Sequence, residues 1–314
     1  MTKFFTKGLA QSTQRTYQSG QKKYLLFCEA GGFKAIPSSE TVLCRFVAHI
    51  AEAGLRVRTI KVYLSAIRHL HIAEGESDPF GPGLHRLHYI MQGIKRAEAE
   101  KGVEKRQRLP ITPCILSKMR MVWEESDQPD KEMLWAACCV GFFGFLRTGE
   151  MTVPSDEAYD PACHLSWSDV AVDNPDNPEV IRLHIKQSKT DPFRKGIYLY
   201  MGKTCSESCP VKSLLNYMVR RGKKEGPLFL FRNGSYLTRQ RLVDAMRKAL
   251  LKAGLDPVQF CGHSFRIGAA TTAAKNGMED SVIKTLGRWR SLAYLEYIRI
   301  PRDQLASYSR MLCS

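Results

Sequence analysis

The chain has 314 residues, enough for two domains of ordinary size. Lys and Arg number 47 against 31 Asp and Glu, a formal charge of +16, and the hydrophobic fraction of 44% is that of a folded protein. This balance excludes a disordered chain, and no run of about 18 apolar residues predicts a membrane span. Basic residues are in excess in residues 1–100 and again in residues 101–314, so a polyanion such as DNA or RNA is the expected partner.

The ten cysteines indicate a reduced, intracellular protein. No apolar secretory stretch follows Met1, and several cysteines fall on apolar helix faces, where a thiol acts as a small hydrophobe. Cys205 and Cys209, with Cys163 and His164 nearby in sequence, are the one candidate zinc cluster. Their spacing is not that of a paired zinc finger, so we predict neither a metal site nor a cofactor.

Residues 1–97 are predicted to form a helical bundle. Apolar residues recur at helical spacing in four stretches, each with a polar cap, a preceding Pro-Gly or a glycine stop. The stretches begin near Ser12, Ser38, Ile60 and Leu87. Bundles of this size are common DNA clamps, so we expect a DNA-binding domain here.

A basic linker is predicted over 98–110, followed by a second domain over 111–314. Thr112 and Pro113 open a helix, and another spans about 130–145. Alternating apolar residues predict strands over 181–185 and 197–201, joined by a turn with Lys189 at its tip. Further helices are predicted over 211–221, 239–253, 264–276, 279–286, 291–297 and 302–311. The fold class is therefore mainly α with a small antiparallel β-sheet, arranged as a two-domain clamp.

Two segments carry residues suited to binding a phosphate. His263 and Arg266 are three residues apart, so they share one face at the start of a helix, where backbone N–H groups also favour an anion. Arg147 directly follows an apolar helix, and an arginine there needs an anionic partner. Glu150 lies three residues further on and can orient Arg147 without occupying both edges of its guanidinium.

With these residues in order, the chain resembles the tyrosine recombinases of the Cre and phage-integrase superfamily. The resemblance rests on Arg147-x-x-Glu150, His263-x-x-Arg266, Trp289 and Tyr297-Ile-Arg. Within the superfamily the chain is most similar to recombinases of the eukaryotic DIRS, Ngaro and Crypton mobile elements. The segment that begins Thr59-Ile-Lys-Val-Tyr also resembles the core-binding domain of those elements.

The resemblance implies a mechanism and a role for each motif residue. Tyr297 attacks a DNA phosphate and forms a 3′-phosphotyrosine bond, without metal or a high-energy cofactor. The arginines stabilise the transition state, Lys189 protonates the leaving 5′ oxygen, His263 takes part in proton transfer, and Trp289 donates its indole N–H to the phosphate. The implied catalytic residues are Arg147, Glu150, Lys189, His263, Arg266, Trp289 and Tyr297.

Three of these assignments have rivals in the sequence. Tyr294, on the same helical face, and Tyr308 compete with Tyr297, since a core tyrosine is the ordinary interpretation. Lys186 and Lys195 compete with Lys189. Trp289 could simply pack in the core, and Glu150 could be a plain structural ion-pair partner.

The resemblance also implies partners and a location. The expected partner is double-stranded DNA, and the expected assembly is a homo-tetramer on two DNA sites; without DNA the protein could be a monomer. We expect residence in the nucleus and no association with a membrane. Arg302–Ser314 is expected to dock on a neighbouring subunit or on its own domain. The expected DNA-binding residues are Arg56, Arg58, Lys61, Arg68, Lys95, Arg96, Lys105, Arg106 and Arg108.

The predicted function is therefore that of a site-specific recombinase or transposon integrase. Two alternatives stay open: a type IB topoisomerase-like enzyme that relaxes DNA, and a domesticated DNA-binding protein that no longer cuts. The filled catalytic positions argue against the second of these.

Overall fold

The computed structural model describes residues 2–81, 83–102, 107–189, 191 and 193–300. The chain divides into two compact units, Met1–Lys105 and Arg106–Ser314. In the described residues no helix has both the length and the apolar character needed to cross a lipid bilayer.

In the described residues of the first unit, helices are the only regular secondary structure. Its helices are α1 (Thr2–Lys7), α2 (Gln11–Gly31), α3 (Glu40–Glu52), α4 (Val57–Ala73) and α5 (His85–Glu100). The Ser39 hydroxyl caps α3 by accepting from Val42 N. Tyr24 and Phe46 pack edge to face in the core, with ring centroids 5.1 Å apart. Helix α5 ends at Glu100, so it extends three residues into the segment predicted as a linker.

The second unit begins with three helices. They are α6 (Pro113–Glu124), α7 (Lys131–Phe143) and the short α8 (Thr148–Met151). Thr112 Oγ1 accepts from Ile115 N and so caps α6, as its sequence predicted. Helix α7 is buried almost throughout. It ends two residues before the predicted Phe145, because Phe145 takes a left-handed conformation with φ of 48°.

The sheet has three antiparallel strands in the order β1 (Val170–Val172), β2 (Val180–Ile185) and β3 (Ile197–Gly202). Ile181, Leu183 and Ile185 are buried, as the alternation predicted. On the opposite face His184 pairs with Tyr198, and their rings stack with centroids 4.6 Å apart. The first strand was not predicted, because three residues are too few for a periodic pattern.

The rest of the second unit is helical again. It contains α9 (Pro210–Arg221), α10 (Arg239–Lys252), α11 (Ser264–Lys275) and α12 (Asp280–Gly287), and the segment Leu292–Tyr297 is a 3₁₀ helix. The structure confirms a mainly helical fold with a small antiparallel sheet. The helix predicted over 302–311 lies outside the described residues.

Helix α11 is fixed by a close contact with the chain that precedes α6. Ile111 N donates to Ser264 O at 2.9 Å. A Cβ on Gly268 would lie 1.8 Å from the Ile111 carbonyl oxygen, so only glycine lets this backbone pass. The contact sets the position of α11, which carries Arg266.

We expect Gly268→Ala to destabilise the second unit by about 1–3 kcal/mol, the usual cost of overpacking. Urea denaturation measures the loss. Gly93→Ala in α5 is the control, because its Cβ would meet nothing within 4 Å. Equal midpoints for Gly268→Ala and the wild type would show that the contact is not tight.

Candidate active site

The turn between α7 and α8 presents Arg147 beside Glu150. Arg147 Nη1 donates to Glu150 Oε1 at 2.9 Å, and the backbone N of Arg147 donates to Glu150 Oε2 at 3.0 Å. The Glu150 side chain is only 3% exposed, whereas that of Arg147 is 16% exposed. Glu150 therefore binds one terminal nitrogen of the Arg147 guanidinium and leaves part of the side chain at the surface.

Arg266 lies fully buried behind this turn. Its Nη1 donates to the Phe145 carbonyl at 2.6 Å, and its Nη2 donates to the Gly287 carbonyl. Burial is the main cause that lowers the pKa of Arg266 to about 9, and the positive charges of Arg147 and Arg288 add to it. The guanidinium therefore keeps its charge at neutral pH.

Two aromatic rings lie near the buried guanidinium. The ring of Trp289 is 4.1 Å from Arg266 Cζ and that of Tyr297 is 5.6 Å away, both measured to the ring centroid. The two rings themselves are 5.0 Å apart. Trp289 thus presents its face to a cation. The predicted donation of its indole N–H to a phosphate stays a prediction.

Tyr297 is anchored through its backbone. Thr271 Oγ1 in α11 donates to the Tyr297 carbonyl at 3.2 Å and accepts from Arg299 N at 3.0 Å. Tyr294, its rival, is 2% exposed. A hydrogen bond to Asp280, which is the main cause, raises the pKa of Tyr294. The geometry favours Tyr297 as the nucleophile over Tyr294, and Tyr308 lies outside the described residues.

His263 directly precedes α11 and lies among positive charges. Partial burial of the imidazole is the largest cause that lowers the pKa of His263, although the residue as a whole is exposed. The charge of Arg239 is the next cause, followed by those of Arg266, Arg147 and Lys189. The ring is therefore neutral at pH 7 and able to accept a proton.

Lys189 is exposed in the turn between β2 and β3, and its charge acts on His263. Lys186 is instead held in place: its Nζ donates to Asp169 Oδ2 at 2.6 Å and to the Pro161 carbonyl at 2.7 Å. Lys195 is exposed beyond the turn. Because Lys186 is occupied by structural bonds, the geometry favours Lys189 as the general acid over this rival.

Arg288 is a site residue that the sequence analysis missed. Its Nη2 donates to Glu150 Oε2 at 2.6 Å and to the Phe145 carbonyl at 3.3 Å, and its Nη1 donates to the Gly144 carbonyl at 3.2 Å. Its side chain is 7% exposed. The available signal was a charged residue at the end of an amphipathic helix, directly before Trp289. Arg239, exposed at the start of α10, was missed too, because nothing in sequence links it to His263.

Residues 160–298 match the phage integrase family. The chain is 25% identical over 299 residues to an integrase/recombinase XerD homolog of Selenomonas ruminantium, covering 91% of this chain and 80% of that protein. It is 22% identical over 321 residues to the Cre recombinase of Escherichia phage P1, covering 98% and 89%. The structure of the XerH site-specific recombinase bound to a palindromic difH substrate superimposes with a TM-score of 0.66 at 17% identity, covering 96% of this chain and 80% of that one.

These matches support the tyrosine recombinase superfamily for this chain. They also support the predicted activity, that of a tyrosine-type site-specific recombinase. The nearer resemblance to the eukaryotic DIRS, Ngaro and Crypton elements stays a prediction.

The basic residues predicted to bind DNA in the recombinase fall into three groups. Exposed on α4 and α5 or at their starts are Arg56, Arg58, Lys61, Lys95 and Arg96. Two are engaged with protein groups: Arg68 pairs with Asp78 at 3.1 Å, and Arg108 donates to the Val258 carbonyl. Lys105 and Arg106 lie outside the described residues. The exposed group is free of the ion pairs that hold Arg68, which makes it the stronger candidate for phosphate contacts.

The cysteines considered for zinc are not assembled as a ligand set in the described part of the recombinase. No group of three or more His, Cys, Asp or Glu suited to a metal ion occurs there. Cys209 is buried and its Sγ accepts from Thr204 N at 3.3 Å. Cys163 donates to Asp160 Oδ2 at 3.1 Å.

We expect Trp289→Ala to cost about 3–5 kcal/mol of stability, because it opens a cavity beside a buried cation. Trp289→Phe keeps an aromatic face and should cost clearly less. Urea denaturation of both variants measures this difference.

Trp167→Ala serves as the matched control. Trp167 is also partly buried, and the cation that lies over its ring, Lys223, is exposed, with its Nζ 5.1 Å from the ring centroid. We expect a smaller loss there. If Trp289→Ala costs no more than Trp167→Ala, the contact with Arg266 contributes little.

Proposed function

We propose that this recombinase breaks and rejoins double-stranded DNA through a 3′-phosphotyrosine bond on Tyr297, without metal or a high-energy cofactor. The observation that carries the proposal is the position of the Tyr297 ring, 5.6 Å from the guanidinium of Arg266. Arg266 in turn bonds the carbonyl of Phe145, two residues before Arg147. This proximity supports the proposal that a phenol and two guanidiniums from distant parts of the chain serve one phosphorus atom.

Cleavage would proceed as an exchange of one phosphate ester for another. The Tyr297 oxygen attacks phosphorus while the bond to the 5′ oxygen breaks. Neutral His263 accepts the phenol proton, and Lys189 gives a proton to the departing 5′ oxygen. The 5′-hydroxyl of a partner strand then attacks the phosphotyrosine and releases Tyr297. The ester energy is conserved, so the scheme needs no nucleotide.

The charge of the site suits this reaction. Arg147, Arg266 and Arg288 are positive, Glu150 is negative, and His263 is neutral at pH 7. The resulting excess of positive charge lies in a largely buried environment, where it stabilises the negative charge that develops on the phosphate oxygens.

The described conformation keeps Arg266 away from solvent. Both of its terminal nitrogens are bonded to carbonyls and the residue is fully buried. Direct contact between Arg266 and a phosphate therefore requires Tyr297 and its segment to shift. This shift would change two contacts: the backbone anchor at Thr271 and the contact between the Tyr297 and Trp289 rings.

The other parts of the proposal are supported to different degrees. They are DNA as the partner, a tetrameric assembly, an origin in a mobile element and a location in the nucleus. The basic composition and the difH complex of the XerH neighbour support double-stranded DNA. A homo-tetramer on two sites, the mobile-element origin and nuclear residence rest on the family resemblance. A short basic cluster could serve as a nuclear localisation signal: Arg220-Arg221-Gly-Lys223-Lys224. Arg221 does not contribute to such a signal, because it is buried and donates to the carbonyls of a neighbouring loop.

We expect Tyr297→Phe to bind DNA with unchanged affinity and to form no covalent adduct, because only the attacking oxygen is lost. The assay uses a nicked suicide substrate in EDTA, a denaturing gel and mass spectrometry of the tyrosine attached to DNA. Tyr294→Phe is the control and should form the adduct.

An adduct from Tyr297→Phe would place the nucleophile elsewhere, and loss of wild-type cleavage in EDTA that magnesium restores would contradict the metal-free scheme. Two labelled duplexes extend the assay. Strand exchange between them supports a recombinase, whereas relaxation of supercoils without exchange supports a topoisomerase. DNA binding with no adduct at all supports an inactive DNA-binding protein.

We expect single-turnover cleavage to stay constant as the pH falls to the ordinary histidine pKa of 6.5, and to fall only at lower pH. The reason is that His263 accepts a proton only when neutral and its pKa is lowered. Arg239→Gln removes the charge with the largest effect in lowering this pKa. The fall in cleavage rate at low pH, the acid limb of the profile, should therefore move to higher pH. An acid limb that stays in place in Arg239→Gln and persists in His263→Gln would exclude His263 as its origin.

A further inference from the structure

The Glu150 carboxylate lies between two arginines that come from opposite ends of the second unit. Its Oε1 accepts from Arg147 Nη1 at 2.9 Å, and its Oε2 accepts from Arg288 Nη2 at 2.6 Å and from the backbone N of Arg147. The carboxylate is 3% exposed, so water contributes little to its stabilisation. Its charge is therefore shared between two guanidiniums.

This sharing decides how strongly Glu150 holds Arg147. A buried carboxylate with a single arginine partner favours the two-bonded, side-by-side geometry, which occupies a whole edge of the guanidinium. Arg288 takes up one carboxylate oxygen, and Arg147 gives only Nη1 of its side chain to Glu150. The rest of the Arg147 guanidinium stays available to a phosphate.

The backbone of Arg288 points to the same conclusion. The residue ends α12 in the left-handed conformation, with φ of 56°. Glycine is the residue that fits such a position without strain, and a branched or long side chain there needs compensation. The three bonds that the Arg288 side chain makes to Glu150, Gly144 and Phe145 supply that compensation.

We propose that Arg288 is a positioning residue for recombination: it neutralises part of the Glu150 charge and so keeps Arg147 free to bind the scissile phosphate. The proposal rests on the function proposed above and adds to it a residue that acts through another. Arg288 does not itself need to touch DNA, because its side chain is 7% exposed and its terminal nitrogens are bonded within the protein. Without Arg288, Glu150 would draw Arg147 into a closed pair.

The test is a double-mutant cycle of Arg288→Met and Glu150→Gln, read as the single-turnover cleavage rate at saturating DNA. We expect Arg288→Met to slow cleavage about 100-fold, the effect of losing one oriented donor at a transition state, with DNA affinity unchanged. Adding Glu150→Gln removes the charge that captures Arg147. The double variant should therefore cleave faster than Arg288→Met and at a rate close to that of Glu150→Gln alone.

Arg120→Met is the matched control. Arg120 is also partly buried, with 18% of its side chain exposed, and it bonds two carboxylates, Glu124 at 2.6 Å and Glu132 at 3.3 Å. It lies on α6, outside the site. We expect Arg120→Met to lower stability and to leave the cleavage rate of the folded protein unchanged, which separates positioning from general structural support.

Two outcomes would overturn the inference: an unchanged rate in Arg288→Met, or a double variant no faster than Arg288→Met, which would mean that Arg288 acts on the phosphate directly. If Arg288→Met does not fold, the double variant is compared with Glu150→Gln. Similar rates support the inference and a much slower double variant overturns it. Absence of any wild-type adduct would instead reject the proposed function itself.

Discussion

The site depends on one constraint: the arginines around the turn between α7 and α8 share their hydrogen-bond acceptors. Arg266 and Arg288 both donate to the Phe145 carbonyl, and Arg147 and Arg288 both donate to Glu150. Burying such charges is costly unless they are hydrogen-bonded. The terminal nitrogens of Arg266 and Arg288 are bonded to carbonyls or to Glu150, although the Nε of each has no partner. The left-handed Phe145 makes this possible, since it turns the chain so that one carbonyl meets two arginines.

The 3₁₀ helix Leu292–Tyr297 depends on the same cluster from its other side. Trp289 packs on Arg266, Tyr297 packs beside Trp289, and Thr271 holds the Tyr297 backbone. Glycine at 287 is required for this layer, because a Cβ there would lie 1.6 Å from the Trp289 ring. The aromatic layer therefore shields Arg266 in the described conformation, and the reaction proposed above would require it to open.

Local signals in the sequence indicated the places of several motif residues, whereas the catalytic role predicted for each of them came from the family resemblance. His263 and Arg266 follow from helical spacing, Lys189 from the turn between two alternating strands, and Arg147 from its place after an apolar helix. The signal for Arg288, a charged residue at the end of an amphipathic helix, did not reveal its role, because its partner Glu150 is 138 residues away. Lys186 and Lys189 could not be separated either, until Asp169 was found to bind Lys186.

The sequence by itself determined the helical periodicity, the alternating strands, the excess of positive charge and the ordered set of chemical groups, since these depend on residue type and local spacing. Only the tertiary structure decided which arginines share a carboxylate, which tyrosine lies over a guanidinium and which lysine is bound by Asp169. The physical reason is that these choices are made by contacts between residues far apart in the chain. Their energies depend on burial and on competition for one carbonyl or one carboxylate, and neither can be read from local spacing.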